Sequence, residues 1–113
     1  MSIPEIPPPN KRLGQHFLID PNIVRKIVAL AELGPNDHVF EIGPGRGILT
    51  EALSHVAGRV TAVEVDSRLH AYLETRQAEL PNVELVCEDA LAYPVESLPM
   101  GTVVVANLPY YIS

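Results

Sequence analysis

One segment limits the fold more than any other: Phe40-Glu41-Ile42-Gly43-Pro44-Gly45-Arg46-Gly47, set between an apolar run and a helical one. His38 to Ile42 reads as a short apolar strand. Ile48 to Val56 repeats apolar residues at helical spacing and closes near Gly58. A glycine-rich turn that leaves a strand and opens a helix is where open α/β sheets receive ligands. Glycines there allow unusual dihedrals and let the backbone come close to a bound molecule.

The rest of the chain repeats this alternation. Asp20-Pro21 supplies an N-cap and a first helical position, and Gly34-Pro35 ends that helix. Ile23, Ile27 and Leu30, with Val24, Val28 and Ala31, give it an apolar face. Val60 to Val65 is a strand. Ser67 to Leu80 is a helix capped by Asp66 or Ser67, with Pro81 behind it. Val83 to Cys87 is a strand, and Val95 to Met100 a connection with one helical turn. Thr102 to Ala106 is apolar without alternation, as expected of a strand buried on both faces. Strands separated by helices imply parallel pairing through right-handed crossovers. The expected fold is α/β, an open Rossmann-like sheet.

Met1 to Asn10 holds four prolines and reads as a flexible tail. Residues 11–113 form the ordered part. Ser113 follows the fourth strand closely, and an uncovered apolar edge invites aggregation. The sequence is therefore expected to be the front of a longer protein, truncated after its fourth parallel strand. No apolar run approaches the roughly 18 residues of a membrane span. The N-terminus has no basic, apolar leader pattern, so the expected location is cytoplasmic. Cys87 is the sole cysteine and cannot form an internal disulfide; its apolar strand makes it a core residue by expectation.

Four constellations bear chemistry. A dinucleotide fingerprint, G-x-G-x-x-G, needs glycine at position 48, which is Ile; here the third glycine is Gly47. G-x-G-x-G after an acid is the pattern of S-adenosylmethionine enzymes. Glu64 ends the second strand beside this turn, where a carboxylate either accepts two ribose hydroxyls or is merely solvated. Glu88-Asp89 ends the third strand. A carboxylate there either accepts from an adenine amino group or binds its own turn.

The fourth constellation is Asn107-Leu108-Pro109-Tyr110. An exocyclic adenine amine is a weak nucleophile, because its lone pair is delocalised into the ring. Acceptors must hold both amine hydrogens and aim the nitrogen. The Asn107 side-chain oxygen and the Pro109 carbonyl suit that task, and proline restricts the backbone. Tyr110 offers a face on which a flipped base can stack. His38, His55 and His70 show no metal spacing, and no metal is expected.

Taken together, Lys11 to Leu18 (K-R-L-G-Q-H-F-L), E-I-G-P-G-R-G-I-L-T, Glu64 and N-L-P-Y-Y-I-S resemble the ribosomal RNA adenine N6,N6-dimethyltransferase family of KsgA type. The resemblance covers Lys11 to Ser113. It implies a Rossmann-like methyltransferase core that uses S-adenosyl-L-methionine to dimethylate adenine N6 in small-subunit ribosomal RNA. It places His16, Leu18, Gly43, Glu64, Asp89 and Asn107 around the cofactor, and Asn107, Pro109 and Tyr110 around the target base. Tyr111 replaces an Asn common in the family, and His16 stands where Asn is also frequent. The implied partner is the immature small ribosomal subunit, bound by a monomer. The net charge of −6 suits a cationic cofactor but not phosphate, so the main RNA-gripping surface is expected beyond Ser113. Two alternatives share the fold: Erm-type methylases of large-subunit RNA, in which Pro44 is often missing, and noncatalytic nucleic-acid-binding or ribosome-assembly factors.

Overall fold

A computed structural model describes residues 21–106. The elements run α1 (Pro21–Ala31), β1 (His38–Ile42), α2 (Ile48–Val56), β2 (Arg59–Glu64), α3 (Ser67–Glu74), β3 (Val83–Cys87) and β4 (Val103–Ala106). The four strands are parallel and ordered β3-β2-β1-β4. The reversal of direction therefore lies at β1, between β2 and β4, where such sheets open a crevice at their carboxyl ends.

Register shows why β1 and β2 are the most buried strands. Val39 pairs with Val60 on one side and Val103 on the other. Val39, Val60, Ala62 and Val83 pack against Leu49, Leu53 and Ala57 of α2 and Val24 of α1, with Leu80 completing the cluster. Tyr93 stacks on Phe40, with ring centres 5.0 Å apart, and so covers part of the opposite face of β1.

Several details depart from the sequence reading. In α1 only Val24 is buried; Ile27 and Val28 pack partly, and Leu30 is exposed. The third helix stops at Glu74 instead of reaching Leu80. The amides of Thr75 and Arg76 bond to the carbonyls of Tyr72 and Leu73, which tightens the turn. A short 3₁₀ turn at Gln77–Glu79 follows. The Gln77 side-chain amide donates to the Leu80 and Val83 carbonyls, at 2.9 and 2.8 Å, and leads the chain into β3. In β4, Val103 and Val105 are half-buried while Val104 is exposed, so among the described residues one face stays open. Cys87 is exposed rather than in the core, because β3 is an outer strand and Cys87 is its last residue. His16, Leu18, Asn107, Pro109 and Tyr110 lie outside the described residues, as do Asp20 and the proline-rich tail.

The C-terminus of α2 is closed by a side chain from far along the chain. Asn82 Nδ2 donates to the carbonyls of Ser54, at 2.9 Å, and Ala57, at 3.2 Å. These include a helix-end acceptor that has no intrahelical partner. Asn82→Ala is expected to lower stability by about 1–2 kcal/mol, since two acceptors lose their donor. Urea denaturation checks this, and an unchanged midpoint contradicts the capping role.

Candidate functional site

The β1–α2 turn is built on backbone that favours glycine. Gly43, Gly45 and Gly47 have φ of 71°, 58° and 85°. Gly47 is also sterically confined. A Cβ there would lie 2.7 Å from Leu73 Cδ2, so α3 packs directly against the turn. The Gly43 amide bonds to the Val63 carbonyl at 2.9 Å, and the Glu88 amide to the Glu64 carbonyl at 3.1 Å. These two bonds extend the ladders past the strand ends. They bring Gly43, Glu64 and the Glu88-Asp89 pair to one rim of the sheet.

Glu64 is 5% exposed, so it is not a solvated strand-end carboxylate. Its Oε1 accepts from the Gly45 amide at 3.0 Å, and its Oε2 accepts from the Asp66 amide at 3.0 Å. Each oxygen retains acceptor capacity for a further donor. Asp66 in turn caps α3, accepting from Arg68 at 2.8 Å and Leu69 at 3.3 Å. Asp89 is exposed, and its Oδ1 accepts from the Leu91 amide at 2.9 Å. Its turn-forming role is thus real.

Two residues escaped the sequence reading. Arg76 donates to Glu51 at 2.9 Å and to the Arg46 carbonyl at 3.4 Å, tying the end of α3 to the turn and to α2. No local pattern reveals this, because the partners are far apart in sequence. Glu41 is the other. It lies fully buried in the middle of the sheet, paired with Ala62 and Val105. Thr50 Oγ1 donates to its Oε1 at 2.5 Å, and among the described residues its Oε2 has no partner. Burial pushes the Glu41 carboxyl up from 4.5 to about 7; the Thr50 hydrogen bond opposes the rise, and the Glu64 carboxylate adds to it. A lone acid inside an apolar strand was the available signal.

The opposite rim is chemically plainer. A shallow cleft there is lined by Asp37, His38, Gly58, Arg59, Met100 and Thr102, among others. Burial, then Arg59, lowers the His38 pKa, and Glu84 partly offsets this. Among the described residues no group of His, Cys, Asp and Glu could hold a metal ion.

The family model described as ribosomal RNA adenine dimethylase matches residues 8–113. The chain belongs to that family. Within it, the ribosomal RNA small subunit methyltransferase A of Moorella thermoacetica is 49% identical, over 93% of this chain and 40% of the relative. Its namesake in Corynebacterium glutamicum is 51% identical, over 93% of this chain and 38% of the relative. This member of the dimethylase family thus spans about two-fifths of the length of the curated relatives it matches. Among solved structures, a dimethyladenosine transferase from Plasmodium falciparum aligns with a TM-score of 0.70 and 33% identity, over 80% of this chain and 33% of that one. The 23S ribosomal RNA methyltransferase ErmE aligns with a TM-score of 0.72 and 36% identity, over 80% of this chain and 36% of that one. The fold is therefore the Rossmann-like methyltransferase core.

Glu41 makes folding depend on pH in a definite direction. A carboxyl whose pKa is higher in the folded state favours folding while it is protonated. That contribution is full below 4.5 and is lost as pH rises to about 7. Other carboxylates titrate too, so the informative quantity is wild-type stability minus that of Glu41→Gln. It is expected to fall by about 3 kcal/mol across this window, at about 1.4 kcal/mol per pH unit, and to stay level above it. Denaturant unfolding at a series of pH values measures it. A difference that does not change with pH contradicts the raised pKa.

Proposed function

We propose that the protein to which this chain belongs transfers methyl groups from S-adenosyl-L-methionine to N6 of adenines in small-subunit ribosomal RNA. Residues 11–113 would form the front of its catalytic domain and 1–10 a flexible tail. Further strands and a helical RNA-gripping domain would lie in the rest of the protein. The observation that carries the cofactor half of this reading is the buried Glu64 beside the left-handed turn Gly43–Gly47. Two carboxylate oxygens with spare acceptor capacity, next to backbone that permits close approach, suit a ribose. The RNA half rests on the curated relatives, whose names specify the small ribosomal subunit.

When bound, S-adenosylmethionine supplies an electrophilic methyl group on a sulfonium. In this reading His16, Leu18, Gly43, Glu64, Asp89 and Asn107 surround it. Glu64 accepts ribose hydroxyls, and Asp89 accepts from the adenine amino group with the capacity that its turn leaves free. Asn107 and the Pro109 carbonyl hold the two hydrogens of the target amine and aim its nitrogen. Tyr110 stacks on the unpaired base, because a base inside A-form duplex hides its edges. The protein's contribution is positioning in a pocket that excludes water. The partner is the immature small subunit, the acting species a monomer and the location the cytoplasm. No helix among the described residues is long and apolar enough to cross a membrane.

The full-length protein is tested with labelled S-adenosylmethionine and immature small subunits, with nucleoside analysis of the product. Dimethyladenosine in small-subunit RNA is expected. Tyr110→Ala is expected to slow transfer roughly 10- to 100-fold at limiting RNA, since base–aromatic stacking is worth about 1–3 kcal/mol. Tyr110→Phe keeps most of the rate, because stacking needs the ring and not the hydroxyl. Methylation confined to large-subunit RNA overturns the substrate, and an equal loss in both variants overturns the stacking role.

A further inference from the structure

We propose that Arg76 is a positioning residue for the cofactor: its guanidinium, aimed by Glu51, holds the Arg46–Gly47 peptide of the glycine turn in the orientation that receives S-adenosyl-L-methionine. This rests on the cofactor reading given above. Arg76 belongs to none of the sequence motifs and sits two residues past the end of α3. Its Nη2 donates to Glu51 Oε2 at 2.9 Å, and its Nη1 to the Arg46 carbonyl at 3.4 Å. Its Nε lies 3.6 Å from Glu79 Oε1. A Cβ on Gly47 would stand 3.5 Å from Nη1, so the guanidinium lies directly against the turn. The amide of the same Arg46–Gly47 peptide donates to the Pro44 carbonyl at 2.9 Å. Both polar ends of that one peptide are thus held.

The turn needs such a hold. Gly43, Gly45 and Gly47 all stand in the left-handed region, and glycine has the most backbone freedom to lose. A peptide flanked by such residues rotates easily, and a ligand that must first order it binds more weakly. Glu64 holds the turn at Gly45 from β2. Arg76 holds it at Arg46 from beyond α3. The Glu51 pair adds little to stability on its own, since the two side chains are 20% and 48% exposed. Its use is direction. A guanidinium is a rigid planar fork, so fixing Nη2 on Glu51 fixes where Nη1 points. Glu51 lies in the first turn of α2, and its own amide donates to the Gly47 carbonyl at 2.9 Å. The anchor of the fork is therefore fastened to the same turn that the fork holds.

The full-length protein is titrated with S-adenosylhomocysteine in a calorimeter, well below its melting temperature. Arg76→Met is expected to weaken binding about 3- to 10-fold, the scale of one hydrogen bond. In methylation assays the KM for S-adenosylmethionine rises by a like factor, while kcat at saturating cofactor stays at the wild-type value, because Arg76 touches no reacting atom. Arg76→Lys keeps the charge without the fork and is expected to lose affinity as well. Glu51→Ala weakens binding in the same sense, and the double variant binds no more weakly than Arg76→Met alone. Glu79→Gln, whose side chain meets only Nε, leaves affinity unchanged. An arginine that merely supports the fold gives a lower melting temperature with an unchanged dissociation constant, and that result overturns the proposal. So does full recovery with lysine, or additive losses in the double variant. Should Arg76→Met fail to fold, Arg76→Lys and Glu51→Ala carry the same test, and wild-type affinity in both overturns it. If the wild-type protein binds neither S-adenosylmethionine nor S-adenosylhomocysteine, the cofactor reading itself fails and the proposal falls with it.

Discussion

The site hangs on one carboxylate. Glu64 holds the Gly45 amide with one oxygen and the Asp66 amide with the other. The first bond fixes the glycine turn after β1. The second fixes the start of α3, whose cap is Asp66 itself. Two crossover connections are thereby tied to the end of a single strand. The same carboxylate raises the cost of ionising Glu41. Geometry and electrostatics at this rim are therefore not independent. Any change at Glu64 reaches the turn, the helix cap and the buried acid together.

Parallel order explains why these groups meet. β1 and β2 lie side by side, so their carboxyl ends share one rim, and ladder bonds beyond each strand carry the register into the loops. Gly47 allows α3 to close on the turn, since a side chain there would collide with Leu73. Arg76 reinforces that contact through Glu51 and the Arg46 carbonyl. The apolar cluster beneath sets the height of α2, and Asn82 closes its far end.

Much of this was legible in the sequence, and the reason is local chemistry. The glycine turn, the Asp66 cap and the four strands are written in neighbouring residues whose propensities agree with the fold. What was not legible depends on distant partners. Cys87 reads as core because its strand is apolar, yet its exposure follows from the order of the strands. The break after Glu74 depends on Thr75, Arg76 and Gln77 finding partners outside a straight helix. The openness of β4 at Val104 reflects what lies across the sheet, which periodicity within the strand does not encode. For the site, Gly43 and Glu64 were expected on the rim and stand there; Asp89 stands there too, engaged with its own turn. The remaining expected site residues, His16, Leu18, Asn107, Pro109 and Tyr110, fall outside the described residues.

The central claim is that the cofactor sits against the amides which Glu64 organises. Amide chemical shifts measured during titration with S-adenosylhomocysteine test it most directly. The account predicts the largest changes at Gly45 and Asp66. It predicts little change at Gly58 and Gly101, which line the cleft at the opposite rim. Changes concentrated at Gly58 and Gly101, with Gly45 and Asp66 unmoved, would contradict it.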